Sequence, residues 1–444
     1  MSTPFGPLVE RIVAAALAAV EPAAAVGRAL RRDGRRLGAG DRSWDLPAGG
    51  RLLVVGAGKA GLPMARAVAG IAGDLIGAGC VVVKEGHAGL DMVGPIAIRE
   101  AGHPLPDARG VAAAREIGAI LDSAGPDDPV LALLSGGASA TLAAPVPGLS
   151  LADLQATTDL LLASGAPIGA INTLRKHCEQ LKGGRLALRA APAPLAALII
   201  SDVVGSPLDV IASGPTVPDP TTYADALAAL ERYGVAGAAP PAVLAHLRAG
   251  ARGERPETPK PADPGWERVS NRLIASNEEA RRAVAALARA EGWDVIELAE
   301  PIEGEAALAG RELGRRLRGL AEGVDRPTLL LGGGETTVSL AGAAPGARGG
   351  RNQELALAAA IELDGARNAA LLALATDGGD GASPAAGALA GGDTLARARA
   401  LGLDANSALR SHASYPFWAA LGDALLPGPT LTNVNDLVVG LAAP

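Results

Sequence analysis

RLLVVGAGKAG at residues 51–61 joins an apolar Leu/Val run to a glycine-rich loop, and that junction decides the fold class. An uninterrupted aliphatic run bounded by glycine reads as a strand buried on both faces, the kind found in parallel sheets. The loop at its carboxyl end is where ligands bind in α/β proteins. The same device recurs at VLALLSGGASA (130–140), LIISDVVGS (198–206), TLLLGGGETT (328–337) and LLALATDGGDG (371–381). These loops carry Lys59, Asp202, Glu335, Asp377 and Asp380, charges that suit phosphates and a divalent metal.

Composition narrows the classes. A chain of 444 residues exceeds what one hydrophobic core usually serves, so two domains are expected. With 49% hydrophobic and 20% charged residues the chain is globular, and with 2% aromatics its core must be built from Ala, Leu, Val and Gly. A net charge of -7 gives no overall attraction to nucleic acid or anionic membranes, so an anionic substrate must be held by locally placed Lys and Arg. Cys80 and Cys178 form neither a disulfide framework nor a metal-ligand spacing and read as reduced, packed thiols. The N-terminus lacks a basic leader, and its Ala/Val stretch from Ile12 is cut by Glu21 and Pro22. No apolar run reaches the roughly 18 residues of a spanning helix, so a soluble, cytoplasmic protein is expected.

Helical periodicity covers residues 7–36. Strand patterns at 51–55, 79–83, 130–134 and 195–200 then alternate with helix patterns at 60–72, 108–123 and 151–164. That alternation predicts an α/β, Rossmann-like first domain over 1–240 with a doubly wound, mainly parallel sheet. Helices before residue 45 remain free to pack on the second domain. Residues 241–270, rich in Pro, Gly and charge, read as a linker. A second α/β domain is expected over 271–444, with strands at 273–276, 293–298, 328–331 and 370–375 and helices at 278–291, 305–323 and 352–361.

Gly56, Gly58 and Gly61 match G-x-G-x-x-G after a strand, which suggests a dinucleotide or phosphate site. Lys59 fits that fingerprint badly, and Glu85 lies late for a ribose partner; a Lys at a helix start instead offers a point charge to a phosphoryl group or carboxylate. A tight turn with a solvated Lys is the plainer reading. Ser135, Gly136, Gly137 and Ser139 form either an anion nest or a simple turn. Neither a G-x-S-x-G elbow nor a Walker A sequence is present, which argues against hydrolase and P-loop enzymes.

Arg175, Lys176, His177, Lys182 and Arg185 are clustered, as an anion clamp or as a solvated helix face, with His177 a structural neighbour. Asp202, near Asp209, Ser213 and Thr216, reads as a Mg²⁺ ligand or general base, or else as a cap. In the second half Gly333 and Gly334 read as a nest beside Glu335, while Asp377 and Asp380 are acids on a turn-like loop. Arg351, next to Asn352, could grip a carboxylate in a fork or stabilise phosphoryl charge.

Taken in order, GAGKAG, EAGHPLPD, SGGASA, RKHCEQLKGGRLA, SDVVG, IASGPTVPDPTT, SNEEA, GGGETT, GGRNQELAL, ATDGGDG and TNVNDL span residues 56–437. The set resembles the glycerate 2-kinase family with the MOFRL C-terminal region, whose members are also labelled hydroxypyruvate reductases. The resemblance implies two α/β domains with the active site in the cleft between them. It also implies transfer of the ATP γ-phosphoryl to O2 of D-glycerate, with ATP as co-substrate and Mg²⁺. By position Lys59 and Arg351 match basic residues held to be catalytic, and Asp202, Glu335 and Asp377 match acidic positions expected to hold metal. Asp202 is also the expected base for the glycerate hydroxyl. The glycines and hydroxyls of the loops, with Arg175, Lys176, Lys182 and Asn352, are expected to bind substrate or nucleotide. Ser206 departs from the family's usual Asp. Partners are then small molecules, with a homodimer among the expectations. Two rival readings are an NAD(P)H-dependent hydroxypyruvate reductase, resting on one fingerprint, and a non-catalytic sugar-acid or nucleotide sensor.

Overall fold

A computed structural model describes residues 4–341 and 343–444. The chain divides into a first unit, Pro22–Ile274, and a second unit made of the residues up to Glu21 together with Ala275–Pro444. The second unit therefore begins with helix α1 (Gly6–Ala19). Its buried Ile12 and Ala16 face inward, and Arg11 forks onto Glu291 at 2.8 and 2.7 Å.

In the first unit α2 (Pro22–Ala29) leads into a three-stranded antiparallel meander, β1 (Leu30–Asp33), β2 (Arg36–Ala39) and β3 (Arg42–Asp45). The helical reading of 30–36 was wrong here: Gly34 turns with φ +56°, and Leu37 is buried on one sheet face while the arginines stay outside. The main sheet follows: β4 (Leu52–Ala57), α3 (Gly61–Ala72), β5 (Ile76–Lys84), β6 (Met92–Val93), β7 (Ile96–Ala101), α4 (Ala108–Asp122) and β8 (Val130–Leu134). Next come the short α5 (Ala138–Thr141), then α6 (Leu151–Ala163), α7 (Ile168–Cys178), α8 (Arg185–Arg189), β9 (Leu195–Ile200), α9 (Tyr223–Arg232), α10 (Pro241–Ala251) and β10 (Val269–Ala275). The seven strands lie in the order β10-β9-β8-β4-β5-β7-β6, and β9-β8-β4-β5-β7 pair in parallel. All of β4, β8 and β9 is buried, as uninterrupted aliphatic runs require.

The stretch read as a linker is largely structured. α10 buries Val243 and Leu247 in a helical core with Ile171, Leu174, Tyr223 and Leu230, and His246 Nε2 meets the His177 carbonyl at 2.9 Å. Prolines and charges around it obscured an ordinary amphipathic helix with Pro at its first turn. β10 joins the first unit's sheet, so the compact unit closes at Ile274.

The second unit continues with α11 (Asn277–Ala290), β11 (Asp294–Glu297), β12 (Ile302–Glu305), α12 (Ala306–Ala321), β13 (Thr328–Thr337), α13 (Arg351–Leu363), β14 (Ala369–Ala375) and β15 (Gly387–Gly391). It ends with α14 (Thr394–Ala400), α15 (Ala405–Arg410), α16 (Ser414–Leu421), β16 (Ala424–Leu425) and β17 (Asp436–Ala442). Its sheet runs β11-β13-β17-β14-β15-β16, with β12 also on β13. β11 and β12 are parallel to β13, whereas β17 is antiparallel to both β13 and β14. The protein is thus α/β with two α/β units, the first mainly parallel and the second mixed.

Candidate functional site

The first unit brings bases together at the SGGAS loop. Lys59 ends the β4 loop, His103 follows β7, and Arg175 lies on α7. A Cβ placed on Gly137 would stand 3.3 Å from Lys59 Cγ and 3.2 Å from His103 Cδ2, and one on Gly136 would collide with the Asp202 carboxylate. Gly137 has φ +86°, so glycine is required there for both its conformation and the space it leaves. Among the described residues neither the Lys59 ammonium nor the Arg175 guanidinium has an ion-pair partner. Burial, set against the charge of Glu179, pulls Arg175 below its usual pKa. Burial, reinforced by Lys59, Lys84, His87 and Arg175, pushes His103 down to about 4. Half-buried bases gathered without a paired acid are suited to an anion, whose charge would supply the neutralisation.

The loop around them is rigid. Ser135 Oγ accepts the Ala60 N–H at 3.1 Å, Ser139 Oγ meets Ser213 Oγ at 3.0 Å, and Ser213 in turn donates to Asn172. Lys182 Nζ donates to the Ser139 carbonyl at 2.6 Å and pairs with Glu179 at 2.5 Å. Two cavities of about 730 and 1200 Å³ also open on this unit, but Lys59, His103 and Arg175 line neither.

Several expected binding residues prove structural. Gly58 N–H donates to Val82 O at 2.9 Å, Lys59 N–H to Gly136 O at 2.8 Å and Gly61 N–H to Gly58 O at 3.1 Å. With Ala60 bonded to Ser135, the donors that a pyrophosphate would need are already used. Gly56, Gly58 and Gly61 instead admit close neighbours: a Cβ would lie 2.5 Å from Leu133 O, 2.4 Å from Ser135 O and 2.7 Å from Val81 Cγ1 respectively. Glu85 pairs with Arg109 at 2.9 Å. Lys176, 3% exposed, pairs at 3.3 Å with both Asp209 and Asp219. Lys182 is fixed as described, with burial lowering it to about 8. Arg185 bonds the Lys176 and Glu179 carbonyls, and His177 bridges Thr173 O and Glu257. Thr216 Oγ1 donates to Asn271. Most of the basic run is therefore held within the fold: Lys176 and Lys182 pair with acids, Arg185 is tied to backbone carbonyls, and among the described residues Arg175 has neither kind of partner. Cys80 and Cys178 are buried free thiols, and burial raises Cys80 to about 12.

In the second unit the centre is Arg351, the first residue of α13. Its Nε and Nη2 fork onto Asp436 at 2.5 and 3.0 Å, and Nη1 meets the more exposed Glu335 at 2.8 Å. Burial acts to lower the Arg351 pKa, but the hydrogen bond and charge of Asp436 outweigh it and hold the guanidinium above its usual value. Burial pushes the Asp436 carboxyl up and Arg351 pulls it back; two short parallel contacts are those of an ionised fork. Asp436 opens β17 opposite Gly334 and Ala375. Asn277 Nδ2 bonds the Val434 and Asp436 carbonyls, which fixes the strand there.

The GGGETT segment is strand rather than loop. Gly333 makes room for Asn277 and Gly334 for the Ile302 backbone, so neither forms a phosphate nest. Asp380, 2% exposed, accepts from the Asn352 and Gln353 N–H groups at 3.2 and 2.8 Å and caps α13. Asn352, 1% exposed, is committed to Asp380 and Asp436 and not to a ligand. Asp377 is half-buried, and its Oδ1 accepts the Gly379 N–H at 3.1 Å. No cluster of three or more His, Cys, Asp or Glu side chains able to cage a metal exists among the described residues.

Sequence reasoning missed His103 and Asp436, although both lie in quoted motifs, EAGHPLPD and TNVNDL. No periodicity marks either; only the fold puts one beside Lys59 and the other on Arg351. No single helix among the described residues is long and apolar enough to cross a membrane, and α1 and α2 meet that length and composition only when taken together across their break.

A family model described as a domain of unknown function (DUF4147) matches residues 8–248, and the MOFRL family model matches residues 328–436. A glycerate 2-kinase of Pyrococcus horikoshii is 40% identical over 434 residues, covering 97% of this chain and 96% of that protein. A D-glycerate 2-kinase of Thermotoga maritima is 40% identical over 397 residues, covering 88% and 90%. An Agrobacterium vitis protein provisionally named a hydroxypyruvate reductase is 46% identical over 395 residues, covering 87% and 86%. The crystal structure of a glycerate kinase from Thermotoga maritima matches with a TM-score of 0.85 at 36% identity, covering 98% of this chain and 99% of that one. The chain belongs to the glycerate 2-kinase family, in which a DUF4147 region is followed by a MOFRL region.

Proposed function

We infer that this protein is an ATP-dependent glycerate 2-kinase, transferring the γ-phosphoryl group of ATP to O2 of D-glycerate to give 2-phosphoglycerate and ADP. The observation that carries this reading is the unpaired Lys59 and Arg175 at the SGGAS loop beside Asp202, within a chain similar along nearly its whole length to glycerate 2-kinases. Phosphoryl transfer asks a protein for alignment and charge neutralisation and little covalent work. Lys59 is proposed to neutralise the transferring group, and Asp202 to take the proton of the glycerate hydroxyl. Arg351 is oriented by Asp436 through Nε and Nη2, and its Nη1, held by the more exposed Glu335, is the nitrogen proposed to exchange that partner for substrate charge.

Mg²⁺ would supply charge neutralisation on the phosphate oxygens. Its usual demand of one or two carboxylates plus water and phosphate is compatible with these residues. Within the second unit Asp377 fits that role better than Glu335, whose charge Arg351 already meets. The cytoplasm, where ATP is supplied, is the proposed compartment.

The reductase reading loses its support, since the N–H groups of the G-x-G-x-x-G loop are bonded within the protein. Incubation with D-glycerate, ATP and Mg²⁺, coupled directly to enolase, tests the kinase reading. Enolase consumes 2-phosphoglycerate without a mutase, so signal is expected. NADH oxidation on hydroxypyruvate in the absence of ATP, with no enolase signal, would overturn the proposal.

A further inference from the structure

His103 faces the same loop as Lys59. A Cβ on Gly137 would stand 3.3 Å from His103 Nε2 and 3.3 Å from Lys59 Cγ, so ring and lysine flank one glycine. The residue is half-buried, and among the described residues no hydrogen bond ties its ring to the protein. The charged groups that act on it most strongly are Lys59, Lys84, His87 and Arg175, all basic. Asp202 lies over the adjacent Gly136, and Asp107 lies over Gly102, one residue before His103.

An imidazole among cations stays neutral, with one N–H donor and one acceptor nitrogen. A half-buried ring with neither nitrogen satisfied is waiting for a partner. The neighbouring cations make an anion the expected occupant, and toward an anion oxygen the ring presents its N–H. Lys59 supplies a point charge without strong direction, whereas an imidazole N–H fixes one oxygen along one line.

We propose that His103 is a substrate-binding residue that donates its ring N–H to an oxyanion of the substrate held by Lys59 and Arg175. This rests on the reading of the Lys59 loop as the reaction site. The oxyanion is either the carboxylate of the acceptor or a phosphate of the nucleotide, and separate KM values distinguish them.

The test compares His103→Ala and His103→Gln with the parent enzyme in the enolase-coupled assay, varying glycerate and ATP in turn. A lost hydrogen bond to a charged group predicts a KM roughly tenfold to hundredfold higher for one of the two substrates in the Ala variant. kcat should change less than about threefold, because the contact is made in both ground and transition states. Gln keeps an N–H donor and should recover much of the KM. Titration calorimetry with glycerate, and separately with ADP, should show the same selective loss. Unchanged KM values for both substrates in a folded Ala variant overturn the inference, and so does equal loss in both variants accompanied by a lowered Tm, which marks a packing role. Lys59→Ala is measured alongside. If it loses activity while His103→Ala does not, only the His103 inference falls; if neither loses activity, the site reading falls too.

Discussion

The two basic centres are built in opposite ways. Arg351 is held at the start of α13 by a buried carboxylate that occupies two of its nitrogens, whereas Lys59 and Arg175 stand near a glycine loop with no acid paired to them. A paired guanidinium is preorganised, its direction set before any ligand arrives. Unpaired cations are poised, their neutralisation left to what binds. The contrast teaches that charge type alone does not identify a binding residue; the partner inventory does. Lys176 and Lys182 carry the same charge as Lys59 and are structural, because each has its acid inside the fold.

The comparison can be broken most directly at Lys59. Lys59→Ala is expected to lower kcat/KM by about 10³-fold or more, as loss of transition-state charge stabilisation does. A turnover near that of the parent would show that the unpaired lysine is a bystander. Asp436→Asn tests the other half. It removes the charge of the fork while leaving its size, and kcat is expected to fall about 10²-fold as Arg351 loses its fixed direction. If kcat holds and only the melting temperature drops, the fork is purely structural.

Asp380→Ala is expected to act on stability rather than on substrate affinity, costing roughly 2 kcal/mol because α13 loses its buried cap. Urea denaturation measures the loss, and a selective change in the KM for ATP with unchanged stability would contradict the capping role. The smallest effect concerns pH. His103 titrates at about 4 in the folded protein, below the ordinary value of about 6.5 for an unfolded chain. As pH falls through 6.5 the unfolded chain gains a proton that the folded protein refuses, so stability drains between about 6.5 and 4 and levels off below. The Tm of His103→Gln relative to the parent should therefore shift in the variant's favour as pH is lowered from about 7 to about 5. A pH-independent difference would sink this assignment.

Much of the frame was legible before any coordinates. Uninterrupted runs such as Leu195–Ile200 could only be buried strands, and their alternation with helices specified a parallel sheet. Lys59, Asp202 and Arg351 were legible as charges at strand and helix ends. The antiparallel return of β17 was not legible, because its LVVGLA run looks like that of a parallel strand. The helix within 241–251 was hidden by composition, since burial of Val243 and Leu247 depends on α7 and α9, which are distant in sequence.

By itself the sequence determined the α/β class, the glycine-punctuated strand ends and the family, because hydrophobic periodicity and ordered motifs are local properties of the chain. Only the tertiary structure decided which charges are available to a ligand. It spent the N–H groups of Gly58, Lys59, Ala60 and Gly61 on Val82, Gly136, Ser135 and Gly58, gave Lys176 and Lys182 to acids within the fold, and left Lys59, His103 and Arg175 without paired acids. The reason is that neutralisation and desolvation depend on groups brought together from remote segments, and no spacing along one strand or helix encodes that meeting.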